Sequence, residues 1–150
     1  MDEQRKKDYH AKVNNNIDKY GYHMTFVFSN NSPSFCYSTG ISRSFKIPEI
    51  FISSLPENLS FDLIKKYVAR FKDTKQIPLN IRIDDFSERF PIYFIEAPYD
   101  KLSNYVLSTL RFYKEEKVKY IQLIFPDIDG LFPNETGYDY DQEIIGVFAS

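Results

Sequence analysis

Between Tyr22 and Ser29 the chain reads "YHMTFVFS", an alternation that assigns Tyr22, Met24, Phe26 and Phe28 to one side of a strand and His23, Thr25, Val27 and Ser29 to the other. No other feature limits the fold as much. A turn-rich "NNSP" follows, then "SFCYSTG", so the two runs predict an antiparallel hairpin. Closing it with Ser29 opposite Ser34 sets Phe28 against Phe35, Phe26 against Tyr37 and Met24 against Thr39. That register makes one face of the hairpin wholly apolar.

The rest of the chain supplies partners for such a sheet. Tyr9, Val13, Ile17 and Tyr20 recur at helical spacing before Gly21, which predicts an N-terminal helix over a leading extension, residues 1–16, ahead of a single domain spanning 17–150. "PEIFISSL" predicts a third strand. Ser60 is the expected cap of a helix carrying Phe61, Ile64, Val68 and Phe71 inward, with Lys65, Lys66, Arg70 and Lys72 on its surface. "PLNIRID", with Leu79, Ile81 and Ile83 inward, and "PIYFIEA" predict two more strands. Asp100 would cap a helix bearing Leu102, Tyr105, Val106, Leu110 and Tyr113, and "VKYIQLIF" reads as the last strand. The expected class is α+β, one domain with a mostly antiparallel sheet packed with two or three helices.

With 150 residues, 43% of them hydrophobic, including 14 Phe and 12 Tyr, the chain can bury a core without a staple. Its single cysteine, Cys36, closes no intrachain disulfide. No apolar run approaches the ~20 residues of a membrane span, and the charged start "MDEQRKKDYH" lacks a signal-peptide core, so the expectation is a cytoplasmic protein without membrane contact. A net charge of −2 argues against a nucleic acid duplex as partner. The charge is uneven: residues 1–75 hold twelve Lys and Arg against eight acids, and nothing after Lys119 is basic.

Several chemistries fail on spacing. "FPDIDGLFPNE" places Asp127 and Asp129 before Gly130 as in a calcium loop, but Phe125 and Thr136 stand where two ligands belong. A solvated acidic turn is the expectation, with weak divalent binding as the alternative. His23 and Cys36 fall on one face in the register above, yet roughly 13 Å apart, beyond the reach of a nucleophile and its base. The glycines are isolated, so no phosphate-cradling loop forms, and no cofactor is expected. Arg43 and Lys46 in "STGISRSFKIPE" can meet an anion or simply dress a polar connection. "YDYD", Tyr138 to Asp141, suits either a basic partner surface or a solvated loop.

The segments "YGYHMTFV", "FCYSTGISRSFKIPEIFISSL", "YIQLIFPDIDGLFPNETGY" and "DQEIIG", in this order, resemble the bacterial Domain of Unknown Function 4262 family over about residues 17 to 146. Tyr37, Thr39, Gly40, Pro48 and Glu49 match its first motif, and Gln122, Phe125, Pro126, Asp127, Gly130, Phe132, Pro133 and Glu135 its second. Tyr22, Ile47, Phe125 and Asn134 stand where the family often has Trp, His, Trp and Trp. The resemblance implies site positions without a reaction, and a toxin-immunity or phage-conflict setting. Combined with Arg43, the motifs nominate Tyr37, Thr39, Gly40, Arg43, Glu49, Gln122, Asp127 and Glu135 as a ligand or partner site with no metal. In that reading Glu49, Asp127 and Glu135 share one pocket. A non-enzymatic module binding a protein partner or small ligand leads, with homo-oligomerisation left open. The alternatives are a small enzyme using those carboxylates on a phosphorylated or nucleotide-like substrate, and a protein that sequesters a nucleotide signal between tyrosines and Arg43 or Lys46.

Overall fold

A computed structural model describes residues 2–148 except 29, 31, 32 and 115. Helix α1 (Glu3–Tyr20) starts where Asp2 accepts the Arg5 N–H and stops at Gly21, whose φ of 94° only glycine adopts freely. Strands β1 (His23–Val27) and β2 (Phe35–Thr39) form the expected hairpin, followed by a short helix α2 (Ile41–Phe45) and β3 (Glu49–Ser53). Helix α3 (Glu57–Phe71) precedes β4 (Tyr93–Ala97), two short helices α4 (Tyr99–Leu102) and α5 (Leu107–Phe112), and β5 (Tyr120–Ile124). The strand order is β1-β2-β3-β5-β4, antiparallel except for the central β3/β5 pair. The molecule is therefore a single α+β domain, as the order of elements predicts.

Four local expectations fail for identifiable reasons. The hairpin is one residue out of the predicted register: Val27 faces Phe35, Phe26 faces Cys36, and His23 faces Thr39. Ser29, half of the predicted closing pair, lies outside the described residues. The slip is understandable because both faces of β2 are buried, so apolarity does not select one of them. "PLNIRID" makes only an isolated bridge, Ile83 to Ile92, and leaves Leu79 40% and Ile81 60% exposed. Pro78 cannot donate to a ladder, and Asn80 turns to a φ of 60°, which breaks the pleat.

Pro56, not Ser60, stands at the start of α3, and Ser60 is buried in its first turn. The helix expected after Asp100 is split into α4 and α5 by residues 103–106, and Pro98 precedes it in place of an aspartate cap. That split, together with the turn that becomes α2, raises the helix count from the expected two or three to five among the described residues.

Both faces of the sheet are covered. Leu63, Ile64, Tyr67 and Phe71 of α3 pack on Cys36, Ile50, Ile52, Phe94, Ile121 and Leu123. On the other face Tyr37, Phe51 and Tyr120 meet Leu102 and Val106, while Ile95 and Ile124 meet Phe132. The C-terminal chain closes over this second face. Gly146 passes so close to β4 that a Cβ there would stand 2.3 Å from the Glu96 carbonyl oxygen.

Candidate binding cleft

The first motif builds a polar knot inside the protein. Glu49, the first residue of β3, is fully buried, and its carboxylate accepts N–H groups from Gly40 (3.1 Å), Ile41 (3.2 Å) and Ser42 (3.0 Å). The Ser38 hydroxyl (2.7 Å) and the Tyr113 hydroxyl (2.5 Å) donate to it as well. Burial raises the carboxyl above its usual range, and the bonds from Tyr113, Ser42, Ser38 and Ile41 oppose that rise. Gly40 turns at a φ of 103°, with no space for a Cβ beside Ile17, and so aims three successive amides at one carboxylate.

Around the knot, Thr109 links to Thr39 (2.9 Å), to the Tyr120 hydroxyl (2.6 Å) and to the Ser38 carbonyl (3.0 Å), and the Tyr37 hydroxyl accepts the Ser108 N–H. Tyr37, Thr39, Gly40 and Glu49 are thus brought together, but as a buried joint between β2, α2, β3, α5 and β5.

The second motif sits elsewhere. Glu49 pairs with Tyr120 at the start of β5, whereas Asp127 lies beyond Ile124 at its end, and those four steps alone span roughly 13 Å. The pocket expected to unite Glu49, Asp127 and Glu135 is not formed. Asp127 instead receives the N–H groups of Asp129 (3.0 Å), Leu131 (2.9 Å) and Asp139 (2.9 Å). Burial would raise this carboxyl, but those backbone donors outweigh it and hold it below its ordinary value. Those bonds order the "FPDIDG" turn, and among the described residues no cluster of His, Cys, Asp and Glu suits a metal.

Glu135 accepts the Phe132 N–H at 2.9 Å. Gln122, buried in β5, donates to the Glu143 carbonyl (2.7 Å) and accepts the Ile145 N–H (2.8 Å), which pins the C-terminal chain to the sheet. Tyr140 likewise spends its hydroxyl on the Ser54 carbonyl (2.6 Å). Among the nominated residues only Arg43 and Glu135 are exposed. The Arg43 guanidinium lies over the Phe112 ring, and with Lys46, Tyr113 and Lys114 it lines a shallow depression.

The larger cleft was not legible in the motifs. A space of about 670 Å³ runs along β1, walled by Tyr9, Lys12 and Asn16 of α1 and by Glu57, Phe61 and Lys65 of α3. Met24 and Phe26 give it an apolar side. His23 and Thr25 give it a polar one. The Asn16 amide donates to His23 Nδ1 (2.9 Å), which leaves the proton on Nε2, directed to the Tyr9 hydroxyl at 3.4 Å, and Tyr9 in turn reaches Thr25 Oγ1 at 2.8 Å. Burial, then the Lys12 ammonium, lowers His23 to about 4, so the ring is neutral at pH 7.

Cys36 lies on the opposite face of the sheet from His23, with burial pushing its thiol up to about 12, so no Cys–His pair exists. The one sequence signal for the cleft is a stripe on α1, Tyr9, Lys12, Asn16 and Tyr20, adjacent to the buried Val13 and Ile17.

Fold and cleft together define a compact α+β protein with an open groove along one edge of its sheet. The chain matches the family model described as Domain of unknown function (DUF4262) over residues 16–139 and belongs to that family. No curated protein and no solved structure matches it.

Proposed function

We propose that this protein is a non-enzymatic binding module and that the groove between α1 and α3 is its recognition site. One observation carries the reading: the groove joins an apolar wall to a fixed row of polar groups, the composition of a ligand site, at a volume within the range such sites occupy. The motif carboxylates support it by contrast, since Glu49 and Asp127 are committed to backbone amides and present no shared cleft for acid–base chemistry. A module of this kind suits the toxin-immunity or phage-conflict setting that the family resemblance implies.

Amide NMR shifts recorded during a fragment screen test the site. Hits should move His23, Thr25, Phe26 and Phe61 together; hits confined to other surfaces, or no hits, would remove the groove as the recognition site. The depression at Arg43, Lys46 and Tyr113 favours a second reading, capture of an anionic nucleotide-like ligand, for which phosphate-bearing fragments should shift Arg43 and Lys114 instead.

A further inference from the structure

β1 is the last strand on its side of the sheet and pairs only with β2. In an antiparallel edge strand every second residue turns its N–H and C=O away from its neighbour, and such a row is a template for another strand. Proteins commonly cover or charge these edges, but here the groove opens onto β1 itself, at Met24, Thr25 and Phe26. Among the described residues no hydrogen bond outside the β1/β2 ladder engages the β1 backbone.

We infer that the occupant of this groove is an extended, acidic peptide segment of a partner protein, added to β1 as a sixth strand. The inference rests on the proposed reading of the groove as the recognition site. The walls match the two-residue period of a strand. A side chain on one face of the added strand meets Met24, Phe26 and Phe61, and the next meets the Tyr9, Asn16 and His23 side. β1 offers five residues, about 17 Å of ladder.

Charge selects the acidic partner. Lys12 and Lys65 stand on the two walls against Glu57 alone, neither lysine is in an ion pair among the described residues, and His23 is neutral. The same lysines argue against a second copy of this chain, because a two-fold edge-to-edge pairing would bring both pairs of ammonium groups together.

Selection of short random linear peptides displayed on phage, against the folded full chain, tests the proposal. Enriched peptides should alternate apolar with polar positions and carry Asp or Glu. Synthetic copies methylated on single backbone nitrogens should lose about tenfold or more in affinity at alternate positions and little at those between. Lys12→Glu and Lys65→Glu, both at exposed positions, should melt like the parent and weaken binding by about tenfold together.

Failure to enrich any peptide overturns the inference. So do peptides that bind in the groove yet ignore N-methylation at every position, although the groove then stands as a binding site. Peptides whose amide shifts map away from β1 remove both readings. A concentration-dependent dimer with shifts on β1 in the absence of peptide replaces the partner strand with a second copy.

Discussion

Glu49 illustrates how a residue that looks catalytic can be structural. Three N–H groups that can only donate converge on it, and they need acceptors whatever the pH. Glu49→Gln replaces one acceptor oxygen with a donor and sets it against those amides. A loss of about 2–4 kcal/mol is expected, read as a lower midpoint in denaturant titration; an unchanged midpoint would show that the knot is slack.

His23 works in the opposite direction to a paired histidine. Its folded value of about 4 lies below the unfolded 6.5, so the unfolded chain binds the proton first as pH falls. The stability it contributes is complete above 6.5 and is lost between 6.5 and 4. Discounted for the water that enters the groove, the loss is about 1–2 kcal/mol. Melting curves of His23→Gln against the parent across that window should converge at the acid end, and a constant difference would contradict the assignment.

At the scale of elements, the joints are made by side chains reaching backbone. α1 is seated by Val13 and Ile17, which are 3% and 4% exposed, and its polar stripe forms one wall of the groove. Among the described residues the C-terminal chain after Tyr138 forms no strand or helix of its own, and Gln122 supplies the bonds a ladder would otherwise provide. Gln122→Ala leaves the Glu143 carbonyl and the Ile145 N–H without those bonds, at a cost of about 2–4 kcal/mol. Hydrogen exchange at Ile145 should accelerate well before that of β3. Equal acceleration in both would mean that the C-terminal chain and the central strands open as one unit.

Over the whole molecule, the central β3/β5 pair is the plane to which everything attaches. All five residues of each strand are buried, because α3 lies on one side and α4, α5 and the C-terminal chain on the other. Burial on both sides frees the two ends of the sheet for different uses. The Glu49 end is closed by its polar knot, the Asp127 end by a backbone turn, and the outer edge at β1 is left open.

The five strands that form, the two long helices and the α+β class were legible from the chain itself, because they rest on local periodicity: alternation in "YHMTFVFS", a 3.6-residue stripe from Phe61 to Phe71, and a left-handed stop at Gly21. The motif residues were legible as positions. Their roles were not, because Glu49 is completed by Tyr113, 64 residues away, and Gln122 by a segment 21 to 23 residues on. The hairpin register also escaped, since a strand buried on both faces, with polar Ser38 and Thr39 inside as well as Cys36 and Tyr37, gives the apolar pattern no single face to select. The groove belongs to tertiary structure alone: Tyr9 and Asn16 meet His23 and Thr25 only after α1 folds back, and Phe61 arrives from α3 across the sheet edge. Periodicity records which way a side chain points within its own element; which other element it meets is decided by packing.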